Sequence, residues 1–97
     1  MALVIHGKTE CPLCNEVINK GDALVATTHF IADQTDPLWK YSDAAIHEGC
    51  FLAWEQRQRF VDTYNAVMGS ITWGNGTYHH MTNDGRILAR RRDPEQA

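Results

Sequence analysis

The sequence predicts an α+β fold: a cysteine-bearing β-hairpin, one long helix, and a C-terminal three-stranded antiparallel meander packed against them. Three observations lead there. Cys11-Pro12-Leu13-Cys14 and His47-Glu48-Gly49-Cys50 each hold two metal-type donors with two residues between them. Apolar residues recur at helical spacing from Cys50 to Met68. Two turn signals, Gly74-Asn75-Gly76 and Asn83-Asp84-Gly85, cut the last quarter into strand-sized pieces.

Leu3 to His6 reads as a short strand leading into the first cysteine pair. Residues 15–22 read as a strand and a turn, with Gly21 supplying the permissive backbone and Asn19 and Asp22 suiting turn positions. Residues 23–31 are rich in strand formers and complete the hairpin. Asp33 to Pro37 is a polar loop, and Leu38 to Tyr41 is one more short strand. Ser42 or Asp43 suits an N-cap, and Glu48 adds acid to the first turn. The helix then runs to Met68 along Cys50, Trp54, Val61, Tyr64 and Met68, with Arg57 the polar exception, and Gly69 ends it. Ile71-Thr72-Trp73, Thr77 to Met81 and Arg86 to Arg90 are the three strands of the meander. The organisation expected is one domain over 1–97, with a finger part at 1–69, the meander at 70–92 and a tail at 93–97.

The two donor pairs account for all three cysteines. Three thiols cannot all pair in disulfides, and no export signal precedes them, so thiolate ligands in a reducing cytoplasm are expected. A redox Cys-x-x-Cys would begin a helix within a βαβ pattern, whereas Pro12 and Asn15 suit a turn. Tetrahedral Zn²⁺ takes four N/S ligands, and Cys11, Cys14, His47 and Cys50 supply that number. A filled shell leaves no position for water or substrate, so one structural zinc is expected. His47 and Cys50, three apart on a helix, share a face.

A Cys-x-x-Cys turn, a hairpin, and a helix whose first turn carries the second ligand pair resemble a treble-clef zinc finger over the first two thirds of the chain. Cys-Pro-Leu-Cys followed by His-x-x-Cys-Phe also resembles a LIM-like half-site, although a LIM domain needs a second ligand set that this chain lacks. Pro37 to Trp54, with Tyr41-Ser42-Asp43-Ala44-Ala45 before His47, resembles small bacterial proteins with one such finger. Treble clefs host many functions, so the resemblance implies a fold and a zinc site but no activity.

At 97 residues the chain has room for one modest core, which a metal staple would reinforce. Hydrophobic content of 43% and charged content of 22% read as a soluble globular chain. A net charge of −3 and a pI near 5.9 argue against non-specific nucleic-acid binding as the main task. No apolar run approaches a membrane span, and Met1 to Ile5 is too short for a signal-peptide core.

His79 and His80 are adjacent, so on a strand they point to opposite faces and cannot easily share a metal. With Asn83 and Asp84 they suggest a nuclease centre, but the catalytic histidine of treble-clef nucleases sits on the finger's own hairpin. His29 occupies that neighbourhood here without an evident partner. Arg86, Arg90, Arg91 and Arg92 form a basic patch that can touch phosphate or shield a strand edge. Trp54 belongs to the core; Trp39 and Trp73, beside a loop and a turn, are interface anchors if exposed and core if buried, and core is the expectation for such large apolar groups. Asp33 and Asp36 give the central loop the charge to steer a basic partner. The functional expectation is a non-enzymatic protein-binding module with no catalytic residues, of the kind a toxin-neutralising immunity protein or an adaptor represents. A nucleic-acid-binding finger is the alternative, and a metal-dependent nuclease stands behind both.

Overall fold

Cys11 sits at the mouth of a small backbone ladder that the chain builds around its first cysteine pair. In the computed structural model, which describes residues 4–91, Glu10 bridges Val17 in antiparallel sense. Cys11 N–H reaches the Glu16 carbonyl at 2.9 Å, and Ile18 N–H reaches the Thr9 carbonyl at 2.7 Å. Asn15 closes the loop with φ +62°, a left-handed conformation that asparagine tolerates better than most residues. The strand expected at its entry does not form over residues 4–6, and Leu3 lies outside the described residues. Instead Ile5 turns the chain: its carbonyl accepts the N–H groups of Lys8 and Thr9.

The polar turn expected at 19–22 is present. Gly21 adopts φ +93°, Asp22 N–H reaches the Asn19 carbonyl at 3.1 Å, and the Asp22 carboxylate accepts Asn19 N–H at 2.8 Å. It does not close the expected hairpin, because residues 16–18 pair backwards onto 9–11. The next strand, β1 (Leu24–Ala26), pairs forwards with β2 (Ala45–His47). That pairing is antiparallel, with Leu24 opposite His47, Val25 opposite Ile46 and Ala26 opposite Ala45.

β2 corrects the expected helix start. Asp43 holds φ +57°, which no helix accommodates, and Ser42 caps a short 3₁₀ helix at Trp39–Tyr41 where a strand was expected. The Asp36 carboxylate accepts Leu38 N–H at 2.9 Å, and Trp39 N–H reaches the Asp36 carbonyl at 2.9 Å, so this loop coils rather than extends. Ala45 and Ile46 are both buried, with 4% and 1% exposure, beside the β1 ladder.

The single long helix is also corrected: α1 (Glu48–Leu52) and α2 (Arg57–Met68) are separate. The break spans residues 53–56, which include Trp54, and Arg57, the polar exception in the apolar pattern, opens α2. Ala53 and Trp54 N–H groups close α1 on Gly49 and Phe51, and Trp54 packs against Tyr41 with ring centroids 4.6 Å apart and planes inclined by 56°. Contacts divide the chain into two compact units at the same place, Met1–Glu55 and Gln56–Ala97. Cys11, Ile18, Val25, Phe30, Ile31, Leu38, Ile46 and Phe51 are the main buried residues of the first unit.

The second unit holds α2 and a two-stranded sheet, β3 (Thr77–Met81) with β4 (Ile87–Arg91). Both turns read from the sequence are present, with Gly76 at φ +82° and Gly85 at φ +88°. The three-stranded meander is not, because residues 71–73 form no strand. Trp73 meets β3 through its N–H on the Thr77 carbonyl at 2.8 Å. Further along that same edge α2 intervenes: Asn65 accepts Met81 N–H at 2.7 Å and donates to the Met81 carbonyl at 3.0 Å. A side-chain amide thus takes the backbone groups that a third strand would have used. Phe60, Val61, Tyr64 and Met68 on α2, and Met81 on β3, are buried.

Candidate metal centre

Three segments of the first unit converge on one point: the loop 11–14, the end of β2 and the first turn of α1. The donor atoms of Cys11, Cys14, His47 and Cys50 all lie within 4.8 Å of one another. A four-coordinate cation with bonds of about 2.0–2.3 Å holds its donors roughly 3.3–3.8 Å apart, so the cluster needs only a small contraction to close on one ion. Cys14 Sγ and His47 Nδ1 are already 3.4 Å apart. The four residues are positioned to bind one metal ion. Cys11 is fully buried, and Cys14, His47 and Cys50 are half-buried.

The route by which His47 arrives differs from the expected one. It is the last residue of β2 and the N-cap of α1, not a residue inside a helix. Its backbone N–H donates to Cys11 Sγ at 3.4 Å, tying the strand end to the loop. Its ring turns Nδ1 to the cysteines and Nε2 to Asp22 Oδ2 at 3.0 Å. The register explains that contact: His47 lies opposite Leu24, and Asp22 stands two residues earlier in the turn that feeds β1. Asp22 is the residue at this site that sequence reasoning missed. It read as a turn former, and no spacing connects it to a histidine 25 residues away.

The electrostatics of the metal-free chain rank the donors. Burial pushes the Cys11 thiol up, but backbone hydrogen bonds from His47, Cys14 and Leu13 outweigh it and bring the thiol down to about 7. Burial pushes Cys50 up to about 11, and the neighbouring Cys14 and Cys11 sulfurs add to the shift. His47 is raised to about 9 by its hydrogen bonds to Cys14 and then Asp22. The Asp22 carboxyl is lowered by Asn19 N–H first and by His47 second. A metal needs the lone pair on His47 Nδ1 and the thiolate of Cys50, and at pH 7 both sites carry protons. Binding therefore releases at least these two protons, and apparent metal affinity rises with pH through neutrality and beyond. Calorimetry in buffers of different ionisation enthalpy counts those protons, and release near zero at pH 7 would contradict the assignment.

The remaining candidates do not converge on this centre. His79 faces Ala89 and His80 faces Leu88 across the sheet, so the two histidines lie on opposite faces. The His79 ring sits 5.3 Å from that of Trp73. His29 Nδ1 lies 3.4 Å from Ser42 Oγ, which itself donates to the Trp39 carbonyl at 2.8 Å. Trp39 and Trp73 are 36% and 42% exposed. Arg86, Arg90 and Arg91 are exposed on or beside β4, with Arg86 Nε 3.5 Å from Asp84, and Arg92 lies outside the described residues. Asp33 and Asp36 spend their carboxylates on their own loop, at Thr35 and Leu38. Among the described residues, no helix is long and apolar enough to cross a membrane.

The fold and site define a small α+β metal-binding module. In comparisons with known proteins, no family model matched the chain, and neither a curated protein nor a solved structure proved similar. The resemblance to treble-clef and LIM-like fingers therefore gains no relative, and the site stands on its own geometry.

Proposed function

We propose that the ion is a single structural Zn²⁺ and that the chain is a non-enzymatic protein-binding module. The observation that carries this is the closed donor set, three sulfurs and one imidazole within 4.8 Å. Thiolate and imidazole donors suit zinc, and four protein ligands leave no coordination position for water or substrate. Three thiolates and a neutral imidazole around Zn²⁺ leave one net negative charge, partly offset by the His47 N–H on Cys11. Elemental analysis of the purified chain should return one zinc per molecule, and Co²⁺ substitution should give a tetrahedral thiolate spectrum. A stoichiometry near zero from zinc-supplemented cells would remove the reading.

The surface supports a protein partner of basic character. Residues 1–55 carry eight Asp and Glu against three Lys, while residues 56–97 carry six Arg against four Asp and Glu. With Trp39 exposed beside the acidic loop, the first unit offers the aromatic anchor and the field that recognition of a basic protein requires. A toxin-neutralising immunity protein or an adaptor has this make-up. The zinc-loaded chain, used as bait in its own source, should retain one basic protein that the Trp39→Ala variant does not. Retention that is unaffected by that variant would place the interface elsewhere.

The exposed arginines on β4 favour nucleic acid as a second reading. In that case binding to a short duplex or single strand should weaken steeply with salt, and Arg90→Ala with Arg91→Ala should flatten the slope by about two phosphate contacts. No binding at low salt disposes of it.

A further inference from the structure

We infer that Asp22 is the positioning residue of the metal centre: its carboxylate holds His47 so that Nδ1, and not Nε2, is the metal ligand. The inference rests on the zinc reading and deepens it. Three observations carry it. The His47 ring presents Nδ1 to Cys14 Sγ at 3.4 Å and Nε2 to Asp22 Oδ2 at 3.0 Å, so one ring edge faces the donors and the other faces a carboxylate. The same Asp22 oxygen accepts Asn19 N–H at 2.8 Å, which leaves the carboxylate little freedom to swing away. Finally, the β1–β2 pairing brings the turn before β1, which carries Asp22, beside His47 at the end of β2, with Glu48 N–H on the Ala23 carbonyl at 2.9 Å locking the strand ends there.

The chemistry follows from the tautomer. A neutral imidazole carries one proton, and coordination through Nδ1 requires that proton on Nε2. A carboxylate accepting from Nε2–H favours that tautomer, fixes the ring about its χ angles and raises the basicity of the ligating nitrogen. The other side chains at this cleft do not share the arrangement. Glu16 and Glu48 line it with Asp22 and bring similar charge, but neither has a hydrogen bond to a ligand atom among the contacts described. Asp22 should therefore act through the hydrogen bond rather than through its charge alone.

The test uses the full-length zinc-loaded chain. Zinc affinity is measured by competition with a chelator for the wild type, Asp22→Ala, Asp22→Asn and Glu16→Gln. Asp22→Ala should weaken zinc binding about 10–100-fold, the usual cost of removing such a partner. Asp22→Asn keeps an oxygen for Asn19 N–H and for Nε2–H, preserves the turn and should recover part of the loss. Glu16→Gln should change affinity by less than about 3-fold, as an exposed charge screened by solvent does. Nitrogen-15 correlation spectra supply a readout that a structural role would not move. The loaded wild type should show His47 with its proton on Nε2 and the metal on Nδ1, and that Nε2 proton should exchange faster in Asp22→Ala. Equal losses in Asp22→Ala and Glu16→Gln, an unchanged Asp22→Ala, or Nε2 ligation in the wild type would each overturn the inference. A wild type that takes up no zinc would overturn the metal reading first and this one with it.

Discussion

A Cys14→Ser chain is expected to take up no zinc and to lose the native structure of its first unit. The magnitudes make the effect large. Structural zinc contributes roughly 10–16 kcal/mol to folding in small sites near neutral pH, which equals or exceeds the ~5–15 kcal/mol by which most domains are stable. Here the metal's ligands tie together a loop, a strand and a helix whose own backbone ladders are short. The β1–β2 ladder is three residues a side, and α1 has five residues, too short to persist in isolation. Losing one sulfur also leaves Cys11, at 0% exposure, buried without its ion. Hydrogen exchange should show the amides of residues 9–18, 24–26 and 45–52 unprotected in Cys14→Ser, and a strong chelator should reproduce the pattern in the wild type. A metal-free variant with wild-type protection would sink the structural role of the ion.

The second large effect is expected at Asn65, where replacement by alanine should cost about 2–4 kcal/mol and lower the melting temperature by roughly 10–20 °C. Its amide satisfies both backbone groups of Met81, a residue only 1% exposed, so alanine leaves a donor and an acceptor unpartnered at a buried strand edge. Each such group costs about 1–3 kcal/mol. Gln58 on the same helix is the control: its amide donates to the Asp62 carboxylate at 2.9 Å on an exposed face, and Gln58→Ala should cost less than about 0.5 kcal/mol. Thermal unfolding of the zinc-loaded variants separates them. An Asn65→Ala chain as stable as Gln58→Ala would mean the Met81 backbone finds other partners.

Local chemistry was legible wherever a residue acts within a few positions of itself. The turns at Gly21, Gly76 and Gly85 follow from glycine's access to positive φ, and each is present. Thr77 to Met81 was read with its observed bounds, because two turn signals delimit it. The donor set was legible because Cys-x-x-Cys and His-x-x-Cys spacings report the geometry of a coordination shell, and the four atoms do converge. Pairing was not legible. Residues 16–18 and 24–26 are both competent strands on either side of a good turn, so the sequence pattern favoured joining them. The chain instead pairs 24–26 with 45–47, a stretch whose Ala45 and Ile46 fit a helical period as readily as a strand. Only the partner strand resolves that ambiguity. The long helix failed for a related reason: the apolar period survives across 53–56, although Trp54 has left the helix to pack against Tyr41.

By itself the sequence determined that four donors would gather and where the chain would turn, since both depend on residue type and short spacing. The tertiary structure decided what carries those donors and what stands behind them. His47 reaches the centre at a strand end, Asp22 reaches His47 across a strand pair, and Asn65 takes the sheet edge that a third strand was expected to fill. Each of these is a contact between residues 16 or more positions apart. Their hydrogen bonds depend on register and burial, which no local pattern encodes.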